Sequence, residues 1–125
     1  MNLAVTVWGN RVSPVFDVAR TLLVTRTGDK KILEKRYVSF DPGAPADLIH
    51  ILKKLKVDIL VCGAISASPA TLIMDHKIRL ISFATGNALA LLETLARKKS
   101  LEKDFIMPGM ANGHDPLPAA PDSRV

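Results

Sequence analysis

Three short segments carry the residues whose types and spacing could do chemistry, and each follows an apolar run. Val57-Asp58-Ile59-Leu60-Val61 leads into Cys62-Gly63-Ala64-Ile65-Ser66. Leu3-Ala4-Val5-Thr6-Val7-Trp8 leads into Gly9-Asn10-Arg11-Val12-Ser13-Pro14-Val15-Phe16. Ile78-Arg79-Leu80-Ile81-Ser82-Phe83 leads into Ala84-Thr85-Gly86-Asn87. Cys62 is the sole cysteine. A thiol at a helix N-terminus has a lowered pKa and serves as nucleophile or soft metal ligand. The competing reading is a buried residue acting as a small hydrophobe. Gly63 permits a tight turn or a close ligand approach. Ser13 could donate to a bound anion, with Pro14 setting the turn; a plain structural loop is the alternative. Thr85 and Gly86 open a helical pattern, either as a cap or as a cap that also binds an anion. His76 falls where another helical pattern ends. It either faces the helix dipole or coordinates a transition metal through one ring nitrogen.

These residues need elements to position them. Residues 2–8, 20–27 and 31–39 read as strands, the last two joined by a turn at Gly28-Asp29-Lys30. Asp41-Pro42-Gly43 breaks the pattern. Leu48, Ile51, Leu52 and Leu55 recur at helical spacing after Pro45, with His50 on the polar face. Val57–Val61 is almost wholly apolar, as expected of a parallel strand covered on both faces. A second helix starts near Ser66 or Ser68, where Ser68-Pro69 offers an N-cap and N1 pair, and ends near His76. Strand 78–83 and a third helix carrying Ala88, Leu91, Leu92 and Leu95 follow. The order β-β-β-α-β-α-β-α predicts an α/β fold with a mixed five-stranded sheet and helices on both faces. In such sheets ligands sit beyond the carboxyl ends of the strands, where the three loops would lie. The expected domain spans residues 1–105. Residues 106–125 read as a flexible Pro-rich tail, in which His114 lies near Met107 and Met110.

The chain has 125 residues and a net charge of +5, which fits one domain with an anionic partner. Nucleic acid is not expected, because no basic stripe is interleaved with aromatics for stacking bases. A lone cysteine excludes an internal disulfide and a multi-thiolate zinc or iron–sulfur site within one chain. No apolar run approaches the ~20 residues of a membrane span, and no signal peptide is evident, so a cytoplasmic protein is expected. No Ser-His-Asp set, Walker loop or His-Glu-x-x-His motif occurs. The first strand lacks the carboxylates of a two-metal nuclease.

The series Leu3–Val7, Val12-Ser13-Pro14-Val15-Phe16-Asp17-Val18-Ala19-Arg20, Val57–Ile65 and Thr85-Gly86-Asn87-Ala88 resembles the dinitrogenase iron–molybdenum cofactor biosynthesis domain of NifX-like proteins and the C-terminal part of NifB. Its most specific parts are Ser-Pro-x-Phe and Val-Asp-x-x-x-Cys-Gly. The resemblance implies a ribonuclease H-like three-layer α/β/α fold without nuclease activity. It implies a carrier of an iron–sulfur or iron–molybdenum cofactor or its precursor, working with nitrogenase-cofactor assembly proteins in nitrogen fixation. Cys62 would be a ligand and His76 a weaker candidate, with Ser13, Gly63, Thr85 and Gly86 shaping the pocket through backbone N–H groups. One cysteine and one or two histidines could end-ligate a preassembled cluster but not build one from bare iron. The non-catalytic carrier leads. A metal-free module binding a small anion or a partner protein is the alternative, and an enzyme using Cys62 as nucleophile ranks third.

Overall fold

The computed structural model describes residues 1–98 and 105–107. Among these residues six strands and three helices follow one another as β1 (Asn2–Trp8), β2 (Arg11–Val12), β3 (Thr21–Gly28), β4 (Lys31–Ser39), α1 (Pro45–Lys54), β5 (Ile59–Val61), α2 (Ala67–Asp75), β6 (Arg79–Ile81) and α3 (Ala88–Lys98). The sheet order is β4-β3-β1-β5-β6, with β2 folded back on β1. β1 pairs antiparallel with β3 and parallel with β5, so the sheet is mixed, as the element order predicts. The expected count of five strands is corrected to six. Sequence periodicity cannot register a two-residue strand such as β2.

The β3–β4 hairpin closes on Asp29 and Lys30, both at positive φ, the backbone required by a tight two-residue turn. The period-two alternation of β1 feeds two cores. Ala4, Leu22, Val24, Leu60 and Leu80 face α1 and α2, where Leu48, Leu52 and Ile73 cover them. Leu3, Val5, Leu23, Ile59, Val61 and Ile81 face α3 and its Leu91, Leu92 and Leu95. Helices on both faces of one sheet make three layers.

Two helix caps refine the expectation. Helix α2 starts at Ser66, the first of the two expected positions, so Ser68 and Pro69 lie within its first turn rather than forming the N-cap and N1 pair. Helix α3 is capped by Asn87, whose Oδ1 accepts the Ala90 N–H at 2.9 Å; Thr85 is not the cap. Ile106, expected in the tail, instead forms a bridge with Ala84. The rest of the tail, with His114, lies outside the described residues.

Candidate functional site

The three loops converge, and backbone hydrogen bonds join them. Ala64 donates its N–H to Pro14 O at 2.8 Å, and Phe16 donates to Ala64 O at 2.7 Å. Phe83 and Ala84 donate to Gly63 O and Cys62 O. Val12 donates to Gly86 O and Ala88 donates to Asn10 O, each at 2.9 Å. Phe105 and Met107 strap the outer side, accepting from Thr85 and donating to Phe83. Phe83 itself sits at φ 62, a strained conformation for an aromatic residue.

This knitting consumes groups that would otherwise meet a ligand. The Ser13 N–H donates to Thr6 O, and its hydroxyl donates to Val15 O at 3.0 Å. The Thr85 N–H donates to Phe105 O at 2.9 Å. Gly63 is buried against the Ser13-Pro14 backbone, and a Cβ there would collide with both carbonyl oxygens. Gly86 has φ 110 and gives its carbonyl to Val12. In these four positions the residue types serve the meeting of loops first.

Cys62 is 0% exposed and belongs to the core under α1 and α2. Burial, and secondarily the nearby Asp17 carboxylate, push its thiol far above the ordinary range. It is a neutral core thiol, which corrects the expectation of a ligand at the crevice mouth. The physical reason is the strand's alternation, which turns this position inward beside Leu60. The same burial denies Cys62 the exposure and lowered pKa that mark a reactive thiol. His76 is the C-cap of α2, with Nδ1 at 2.9 Å from Leu72 O. His76 thus stands at the end of α2 away from the loops, ten residues and about 15 Å of helix rise from Ser66. Among the described residues no group of three or more His, Cys, Asp or Glu could hold a metal ion.

What the loops leave open is a groove of about 590 Å³ on the β3 side of the β1 end. Trp8, Val15, Val18 and Arg20 line it, with Ser13 and Thr21. Gly9 at φ 65 turns the chain after β1, and Trp8 is the last residue of that strand. A single 3-10 turn, Phe16–Val18, buries Phe16 and projects Val18. Trp8 is 76% and Val18 70% exposed, although strand 2–8 reads as buried throughout from sequence. Arg11 stands directly opposite Trp8 in the β1–β2 register. The groove has the size and mixed lining of a ligand site: mostly apolar walls with a few polar groups. Sequence reasoning missed Trp8, Val18 and Arg20. The one available signal was a lone tryptophan at a strand end ahead of glycine.

The family described as dinitrogenase iron-molybdenum cofactor matches residues 1–98. The chain belongs to this family. Solved structures similar to it share the fold. PH0822 aligns at a TM-score of 0.71 and 15% identity, over 83% of this chain and 96% of that one. A candidate dinitrogenase from Methanocaldococcus jannaschii aligns at 0.65 and 19%, over 82% of this chain and 92% of that one. A candidate NifB protein from Thermotoga, placed in the DUF35 family, aligns at 0.62 and 13%, over 87% and 98%. No curated protein matches the chain. The family is one concerned with the iron–molybdenum cofactor. No helix among the described residues is long and apolar enough to cross a membrane.

Proposed function

We propose that this protein is a non-catalytic carrier of an iron–sulfur or iron–molybdenum type cofactor or its precursor, handed to or from cofactor-assembly proteins. The supporting observation is the arginine-flanked groove between Trp8 and the 3-10 turn. The cluster is cargo. It arrives preassembled with its own sulfides, and the chain holds it by shape and charge. Arg20 on the wall and Arg11 opposite Trp8 attract a net-negative cluster. Trp8, Val15 and Val18 exclude water around it. The described side chains fit this mode and do not fit assembly from free iron, which needs several convergent thiolates. Ser13, Gly63, Thr85 and Gly86 act indirectly, by fixing the loops that form the groove wall.

The test is anaerobic incubation with a cluster donor, desalting, and measurement of iron, acid-labile sulfide and the visible spectrum. Retained iron with a charge-transfer band supports the carrier. Retention of none by folded protein rejects it. A second reading, a metal-free module for a protein partner, draws on the exposure of Trp8 and Val18, which suits a hydrophobic contact. The same assay separates the two.

A further inference from the structure

Among the described residues, strand β4 is the longest in the sheet and forms the edge opposite β6. An edge strand presents a row of backbone N–H and C=O groups able to pair with another chain. From Ser39 opposite Thr21 to Glu34 opposite Arg26, β4 keeps unbroken register with β3. The register shifts only beyond that, at Leu33. Glu34–Ser39 is therefore a regular edge, and Tyr37 on it is 61% exposed.

The charge on this edge selects its occupant. Arg26 Nε lies 3.1 Å from Glu34 Oε1, so the carboxylate is already engaged. Lys35 and Arg36 have no carboxylate partner among the described residues. Both also line a concavity of about 470 Å³ with Arg26, Val24 and Asn2. A second copy fits poorly. Antiparallel self-pairing about Lys35 would set that lysine against its own counterpart, and like charges directly opposite destabilise a ladder. Edge lysines commonly guard against such self-pairing. An acidic strand turns the same two cations from a penalty into an attraction.

We propose that the outer edge of β4 over Glu34–Ser39 receives an added strand from an acidic partner protein. Side chains alternate, so Lys35 and Tyr37 look to one face and Arg36 to the other. The incoming segment thus carries an apolar residue opposite Tyr37 and carboxylates opposite Arg36 and Lys35, at consecutive positions. Main-chain hydrogen bonds give affinity and the charge pattern gives choice. The proposal is independent of the cofactor reading, since β4 lies at the sheet edge and contributes nothing to the Trp8 groove.

The test uses a fluorescein-labelled extended peptide centred on Val-Glu-Asp, followed by anisotropy at low salt. Two further forms carry N-methyl groups on one or the other alternating set of amides. The expected result is binding by wild type and loss with one methylated frame only, because alternate amides face the edge. Lys35→Glu/Arg36→Glu, shown folded by circular dichroism, should bind about tenfold more weakly. Amide shifts on titration should concentrate at residues 34–39. Equal binding by both methylated forms, wild-type affinity in the double variant, shifts elsewhere, or no binding of the parent peptide would each overturn the proposal. So would single-stranded RNA binding this edge more tightly than the peptide, or a wild-type dimer that dissociates in the double variant.

Discussion

Gly63 lies against the backbone carbonyl of Pro14, and the Ala64 N–H donates to that same oxygen at 2.8 Å. This contact joins the loop after β5 to the loop that forms one wall of the Trp8 groove. A side chain at Gly63 would have to push the Ser13-Pro14 backbone away, and backbone yields less readily than a flexible side chain tip.

Gly63→Ala is therefore expected to destabilise the fold by about 2 kcal/mol or more, within the range for overpacking a tight site. Urea denaturation measures it as a lower midpoint at unchanged slope. A wild-type midpoint would show that the loops separate freely.

Cys62 gives a pH prediction. Burial raises its pKa in the folded state above the unfolded value. A raised pKa means that the stabilising contribution is complete below the unfolded value of about 8.5 and is lost as pH climbs above it. Unfolding free energy measured from pH 7 to 10 should fall more steeply in wild type than in Cys62→Ala. A thiol reagent at neutral pH should label Cys62 only on unfolding. Rapid labelling of native protein would contradict the burial.

Thr6 is buried in β1, and its hydroxyl has no hydrogen-bond partner among the described residues. An unpaired buried hydroxyl carries its full desolvation cost. Thr6→Val keeps the β-branched shape and removes that group, so it should raise stability by about 1 kcal/mol. Thermal or urea unfolding reads the sign directly. A loss of stability would mean that the hydroxyl is satisfied in solution.

Much of the fold was legible because it rests on alternation and helical spacing. Strand β4 spans the residues read from sequence, and α1 begins at the proline read as its first turn. The family resemblance agrees with the match over residues 1–98. The site was less legible. Sequence marked Cys62, Ser13 and Thr85 by residue type, yet type does not say which way a strand's last residue points or where a loop's N–H groups go. Tertiary pairing decided both: Thr85 bonds Phe105, and Cys62 turns into the core. Trp8 was hidden for the converse reason. It ends an apolar run, and nothing in that run distinguishes a strand's exposed last residue from the buried ones before it.

Trp8 is the sole tryptophan, so its fluorescence reports on the groove alone. Trp8→Ala should change stability by no more than about 0.5 kcal/mol, as for an exposed side chain. Addition of cluster to wild type should quench the emission saturably. Emission that stays constant while iron is retained would place the cargo elsewhere.

The most direct measurement is iron retained after anaerobic loading and desalting, compared among wild type, Trp8→Ala/Arg20→Glu and Cys62→Ala, each confirmed folded. The account predicts that the groove double variant loses most of its iron while Cys62→Ala keeps it. Loss of iron in Cys62→Ala with full retention in Trp8→Ala/Arg20→Glu would contradict it, and would show that the thiol leaves the core to hold the cluster.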